Sequence, residues 1–427
     1  MKLRIEKAVY GGSGLARVDG KAVFVPFTLP DEEVEAEITQ DKGSFATAEL
    51  QSVLQASPAR AEPACPYFGR CGGCQYQHAN YASQVETKLA ILRESLQRAH
   101  VPEVPGIATI TADPFAYRNR IRLHLQDKPF SLCYKIRNSG TNLPVQSCPI
   151  ASPLLEHAIY ILNREGESLR LATFVTEAEL FIAPDESSVL LSLWTDRLDA
   201  AAMQFPHKAL ARLQRSIPQI RGIGVFVTEK DRPTDRLLAF SGVDSLLYPV
   251  ADYSYRVSFG SFFQINRFLI DRLLRIVTEG ERGATVWDLY AGVGLFSVPM
   301  ARSFSEVTAV ESAPAAVRDL RENLRGTSHR IVAADSAAFL RQSRMQRRPA
   351  PDLVVVDPPR AGLGRDVTGA LAAVRPRKIT YVSCDPATLS RDLAALVQSG
   401  YRLGKMHLLD LFPQTFHLET VTHLLLD

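Results

Sequence analysis

From Val250 onward the chain repeats one unit: a short apolar run, a turn that opens on an acidic residue, then an amphipathic stretch. Residues 284–288, 306–311, 329–335 and 352–357 end in Asp288, Glu311, Asp335 and Asp357, and a fifth run, 378–382, leads into Ser383-Cys384. One such ending is a turn residue or a helix cap. Four in order impose an open, mostly parallel sheet with helices on both faces, because that α/β architecture lines successive strand ends along one edge. Loops at that edge face the ligand.

The first turn, Asp288-Leu-Tyr290-Ala-Gly292-Val-Gly294, carries glycines that let backbone approach a ligand closely, but its spacing is not the Gly-x-Gly-x-x-Gly dinucleotide fingerprint. An acid followed closely by Gly-x-Gly instead resembles the S-adenosylmethionine loop of class I methyltransferases. On that reading Glu311 meets a ribose diol one βα unit later, and Asp335 meets the adenine amino group.

Cys384 stands where a buried strand gives way to a turn and a helix, a position at which the helix dipole is expected to lower a thiol's pKa. That suits a nucleophile, although free cysteines are commonly small, inert and buried. Residues 405–426 read as two β segments around a turn at Pro413, an antiparallel pair that closes the sheet. Glu419 then starts the final strand at the same sheet end as Cys384; in isolation it reads as a solvated glutamate. Residues 262–266 open a helix running to about Val277, with Asn266 as its cap.

The N-terminal part is built differently. Residues 1–56 alternate short strands with turn signals such as Tyr10-Gly-Gly-Ser-Gly14, which suits an OB-like barrel, a fold that often binds RNA. Pro58 and Pro63 lead into Cys65-x5-Cys71-x2-Cys74, three thiols on one glycine-relaxed loop, and Cys148-Pro149 is the natural fourth ligand. Spacing alone leaves zinc and iron open. An amphipathic helix spans 86–100 with Leu89, Leu92 and Leu96 on one face. Residues 117–134 turn β-like, and Arg118, Arg120 and Arg122 alternate on one strand face, suited to a phosphate backbone or to a charge-protected edge. Residues 150–250 read as an α+β insert without a chemical motif.

At 427 residues and 46% hydrophobic content, the chain supports two or three domains. No run approaches the roughly 20 apolar residues of a membrane span, and the N-terminus lacks the apolar core of a secretory signal, so a cytoplasmic protein is expected. A net charge of +3 says little about nucleic acid, although residues 341–348 are arginine-rich. The six cysteines cluster in a way that argues for metal over disulfides.

Taken together, these residues resemble the RNA uracil-5-methyltransferases, especially the iron-sulfur branch that acts on 23S ribosomal RNA. The likeness covers nearly the whole chain. It runs through Gly11-Gly-Ser-Gly14, the four cysteines, Phe263-Gln264-Ile-Asn266, Asp288 to Gly294, Asp357-Pro-Pro-Arg-Ala-Gly362, Ser383-Cys-Asp-Pro-Ala-Thr388, Phe412-Pro-Gln-Thr415 and His417-Leu-Glu419-Thr420. The resemblance implies a TRAM domain at 1–56, a central α+β domain at 57–250 whose segment 77–108 packs on the catalytic domain, and a doubly wound methyltransferase domain at 251–427. It further implies a 4Fe-4S cluster on Cys65, Cys71, Cys74 and Cys148, and an S-adenosylmethionine site using Gln264, Tyr290, Glu311, Asp335 and Asp357. Leu295 departs from the asparagine of some members, so that contact is not carried over. A monomer acting on RNA is implied, with transfer RNA as the alternative substrate.

The implied chemistry explains the residue types. Carbon 5 of uracil is a weak nucleophile, so a thiolate, here Cys384, first adds at carbon 6 and places enolate density on carbon 5. After methylation a base, here Glu419, removes the carbon 5 proton so that the thiol can leave. Asp357 orients the uracil edge, and the base must be unstacked to be reached. An amino-group nucleic-acid methyltransferase using Asp357-Pro-Pro explains neither Cys384 nor Glu419. A metal-bearing RNA-binding protein without catalysis leaves Cys384 without a role.

Overall fold

In the C-terminal half, five strands lie side by side in parallel in the order His329–Ala333, Phe304–Glu311, Gly283–Leu289, Leu353–Val356 and Lys378–Ser383. The computed structural model describes residues 1–198, 200–228 and 235–426. Numbered along the chain this order is 3-2-1-4-5, so its direction reverses between Gly283–Leu289 and Leu353–Val356. Open α/β sheets bind their ligands in the crevice beyond such a reversal. Leu353–Val356 is buried throughout, as a strand covered by helices on both faces must be.

Glu419–Leu426 lies antiparallel beside Lys378–Ser383, and Tyr401–Leu409 pairs antiparallel outside it, which makes the closing pair anticipated from residues 405–426. The outermost strand is Ile107–Ile110, parallel to Tyr401–Leu409. The sequence pattern did not mark this strand; its place at the sheet edge comes from tertiary pairing. Helix Tyr81–Arg98 starts five residues before the anticipated 86, because the Asn80 carboxamide accepts the Ser83 N–H and caps it there. Its Leu92 and Leu96 are buried with Leu389, Leu393 and Leu396 of helix Pro386–Gln398. The Lys88 ammonium, fully buried, meets Asp410 at 2.6 Å and the Phe412 carbonyl at 2.9 Å.

The first six strands, Lys2–Arg4 to Phe45–Gln55, form a separate sheet whose edges are Lys2–Arg4 and Lys7–Val9. Only Ile5 and Glu6 lie between those edge strands, so the sheet curls until its two edges approach each other. The strands between residues 120 and 242 form a seven-stranded sheet from Asn142–Pro144 at one edge to Arg236–Gly242 at the other, antiparallel except where Val189–Thr195 runs beside Ile220–Val227. Helices Pro153–Glu165 and Ala200–Ser216 bury Leu155, Ile159, Ala202 and Leu213 against it.

Two local expectations need correction. The helix anticipated from residue 266 is Ile270–Thr278, because the Asn266 side chain accepts the Phe268 and Leu269 N–H groups and holds a turn ahead of it. The three arginines do not form an open basic face. Arg118 lines a cavity with the clustered cysteines. Arg120 donates to the Ser261 carbonyl at 2.7 Å and lies over Phe181, while Arg122 pairs with Glu177 and stacks 3.8 Å from the Trp194 ring. Carboxylates and aromatic rings on neighbouring strands occupy Arg120 and Arg122. No helix among the described residues is long and apolar enough to cross a membrane.

Candidate active site

Each strand end of the parallel sheet delivers one of the expected residues to the crevice. Tyr290 follows Gly283–Leu289, Glu311 ends Phe304–Glu311, Asp335 follows His329–Ala333, Asp357 follows Leu353–Val356 and Cys384 follows Lys378–Ser383. The antiparallel neighbour adds Glu419. Ser383 is paired with Thr420, so the next residues outward, Cys384 and Glu419, stand opposite each other. The Thr420 hydroxyl donates to the Ser383 carbonyl at 3.1 Å and ties the two strand ends together.

Glu419 is 3% exposed. Burial and the facing Asp357 carboxyl push its pKa well above the ordinary carboxylate range. Burial and Asp288 push Asp357 up to about 7. The Gln264 carboxamide donates to Asp357 at 3.5 Å, and the Gln264 carbonyl accepts the Asn119 side chain at 3.0 Å. Burial, then Glu419 and Asp357, push the Cys384 thiol up to about 12, opposed by Arg360. This overturns the expectation of a thiol acidified by a helix dipole. The N–H groups of Ala387 and Thr388, at the helix start, are taken by the Asp385 carboxylate, at 3.0 and 2.9 Å, so a negative charge sits between the dipole and the thiol.

The opposite side of the crevice is organised by Glu311. One carboxylate oxygen accepts the Gly292 N–H at 2.8 Å; the other accepts the Ser312 and Ala313 N–H groups, both at 2.7 Å. Tyr290 and Gly292 both adopt positive φ, 64° and 56°, and the Cβ side of Gly292 faces open space. Tyr290 approaches Asp335, whose carboxylate also caps the next helix through the Ala338 N–H. Asp288 was not among the expected contacts. It is fully buried with Oδ1 unpartnered, Oδ2 accepts the Ser297 hydroxyl, and burial holds its pKa up to about 7. Its signal in the sequence was its place as the acid opening the glycine turn. Asn119 was also missed: it is buried, with Oδ1 unpartnered, and no motif marks it.

Arg360 projects from the rim, exposed, and donates to His417 Nε2 at 2.9 Å. Burial and that cation push His417 down to about 3, so its ring stays neutral and can accept.

Cys65, Cys71, Cys74 and Cys148 line one cavity with Tyr67, Tyr134 and Arg118. Burial raises the thiols of Cys65, Cys71 and Cys74, the last to about 12, and the neighbouring sulfurs reinforce the shift. Arg118 Nε is buried there without a partner. Among the described residues, no group of three or more His, Cys, Asp or Glu side chains is arranged to hold a metal ion. Cys133, also fully buried, is not among the residues that line this cavity.

A family model described as tRNA (uracil-5-)-methyltransferase matches residues 80–426, and one for the TRAM domain matches residues 1–51. The chain belongs to the tRNA (uracil-5-)-methyltransferase family. Among members of known sequence, an uncharacterized RNA methyltransferase of Aquifex aeolicus is 33% identical over 99% of this chain and 97% of its own length. A 23S rRNA (uracil(1939)-C(5))-methyltransferase of Pectobacterium carotovorum is 32% identical over 97% of this chain and 92% of its own. The crystal structure of the Pyrococcus abyssi tRNA (uracil-54, C5)-methyltransferase in complex with S-adenosyl-L-homocysteine superposes with a TM-score of 0.78, covers 100% of both chains and is 24% identical. That likeness supports the α/β methyltransferase fold. This family member therefore joins a curled N-terminal sheet to a methyltransferase sheet whose strand ends converge on Cys384.

Proposed function

We propose that this enzyme transfers a methyl group from S-adenosylmethionine to carbon 5 of a uridine in 23S ribosomal RNA. The observation that carries the reading is the placement of Cys384 opposite Glu419, beside Asp357, at the sheet's ligand edge. Relatives about one-third identical over nearly the full length carry the 23S activity in their names, which favours ribosomal over transfer RNA.

Glu311, Asp335 and Tyr290 would hold the cofactor's nucleoside, and Gln264 and Asp357 its reactive end; open space at Gly292 and the unpartnered oxygen of Asp288 fit such a ligand. The bound cofactor supplies an electrophilic methyl group. Cys384 releases its proton to solvent and bonds to carbon 6, and the π electrons of the carbon 5–carbon 6 bond move toward carbon 5 and the carbon 4 oxygen. Once carbon 5 carries the methyl group, Glu419 takes the remaining proton, the sulfur–carbon 6 bond breaks and the ring double bond returns. A carboxylate of raised pKa is the stronger base for that step. Holding both reactants against the thiol supplies much of the acceleration.

We also propose a 4Fe-4S cluster on Cys65, Cys71, Cys74 and Cys148. Four thiols around one cavity, with the buried Nε of Arg118 at its wall, suit an anionic multi-iron centre.

The substrate test is direct. A 23S fragment containing 5-fluorouridine should form a denaturation-resistant adduct at Cys384, because fluorine cannot leave as a proton. Efficient methylation of transfer RNA with every 23S region inert would overturn the ribosomal assignment while leaving the uracil chemistry in place.

A further inference from the structure

The turn at residues 10–12 of the N-terminal sheet reaches the nucleophile. Gly11 and Gly12 take φ of 102° and 90°, and a Cβ on Gly12 would come within 2.7 Å of the Gln75 side chain, with Phe416 next to it. The turn is therefore pressed against the chain just before Glu419. Tyr10 packs edge-on against Phe416, with ring centroids 5.2 Å apart, and Phe416 in turn lies 4.0 Å from the His417 ring. The Tyr10 hydroxyl is turned toward the carboxylate of Asp385, the residue after Cys384, and burial keeps that phenol protonated and so able to donate.

We propose that Tyr10 is a positioning residue of the methyl-transfer site, so that the N-terminal domain takes part in the chemistry as well as in holding RNA. This inference rests on the Cys384 reading above. Asp385 carries a negative charge beside the thiol while it caps helix Pro386–Gln398. A donor from Tyr10 withdraws part of that charge and fixes the carboxylate on the helix start, which makes the Cys384 thiolate easier to form. The other charged and titratable groups facing the thiol are Glu419 and Asp357, which oppose ionisation, and Arg360, which favours it.

The test is Tyr10→Phe, which keeps the ring against Phe416 and removes only the hydroxyl. Alkylation of Cys384 by iodoacetamide, followed peptide by peptide at fixed pH values from about 7 to 9 in the full-length protein, should slow about tenfold, as a thiol raised by about one pH unit requires. Turnover should fall about tenfold in kcat, the scale of one hydrogen bond to a charged group, with KM for RNA held within about twofold. Gly12→Ala, which pushes the turn away from Gln75, should reproduce the slower alkylation. An unchanged alkylation profile in Tyr10→Phe overturns the inference, whatever happens to turnover, and a loss confined to KM would make Tyr10 an RNA contact only. The alkylation arm needs neither RNA nor cofactor, so it stands apart from the substrate assignment. If Cys384→Ala retains turnover, the covalent reading itself falls.

Discussion

Cys384 and Glu419 occupy facing positions one step beyond the Ser383–Thr420 pair of an antiparallel ladder. Residues 35 positions apart are thereby fixed by backbone pairing, which places the proposed nucleophile and the proposed base without relying on a flexible loop. Cys384→Ala should abolish methyl transfer while cofactor binding, measured calorimetrically, stays within about twofold, since the thiol acts on the base. Glu419→Gln should leave RNA bonded to Cys384, visible as a band that survives denaturing electrophoresis. Normal turnover in Glu419→Gln would assign the proton to another base.

The same crowding sets the pH response. Burial and the neighbouring carboxyls push the Cys384 thiol up to about 12, so it is held protonated near neutral pH. Because Cys384 and Glu419 are both raised and both must lose a proton, kcat/KM should climb with pH from the acid side, by up to tenfold per unit for each limiting proton. Asp357→Asn removes one charge that opposes the thiolate and should speed the alkylation of Cys384 at fixed pH. Glu419 holds a proton in the fold that the unfolded chain releases above its ordinary value, so folded stability falls as pH rises through that window. Glu419→Gln should therefore show a flatter Tm between pH 5 and 8 than the parent.

Protein purified without oxygen should contain iron and acid-labile sulfide, with the broad visible absorption of a cluster. Cys74→Ser should lose both, whereas Cys133→Ser, at a buried position that does not line the cavity, should keep both. Zinc without sulfide in the anaerobic protein would refute the cluster.

The order of strand-ending acids was legible because each rests on local pattern: a buried run, a turn, a carboxylate. The facing of Cys384 and Glu419 was legible too, because an antiparallel pair allows one placement for a residue that starts the last strand. What stayed hidden depends on partners distant in sequence. Ile107–Ile110 is a strand only because Tyr401–Leu409 offers it an edge. The thiol was read as acidified because helix N-termini usually do so, but Asp385 had already capped the helix. Asn119 carries no motif, and its meeting with Gln264 spans 145 positions.

Helix Tyr81–Arg98 is held to the loop before Glu419 by a buried ion pair, alongside the paired Gln84 and Gln414 carboxamides. Lys88 and Asp410 are 0% and 1% exposed, 2.6 Å apart, and burial alone would push the ammonium toward neutrality. Lys88→Met leaves a carboxylate unpaired in the core and should cost about 3–5 kcal/mol, measured by denaturant unfolding. Lys88→Met with Asp410→Leu should recover much of that loss, since the buried charge disappears with its partner. If the double variant were no better than the single, the destabilisation would come from packing and not from charge.

The arginine strand offers the sharpest contrast between pattern and structure. An arginine that contacts phosphate releases about one counterion, so replacing it should reduce the salt slope of RNA binding by about 1. Arg122 is instead engaged by Glu177 and the Trp194 ring, and Arg120 by Glu179, Ser261 and Phe181. Arg122→Gln should therefore leave the slope of log affinity against log salt unchanged and lower stability by about 1 kcal/mol or less, as expected for a partly exposed ion pair. Arg120→Met, more deeply enclosed, should lower Tm further, again without changing the slope. A slope reduced by about 1 in Arg122→Gln would mean that RNA displaces Glu177 from this arginine, and the strand would then be part of the RNA-binding surface after all.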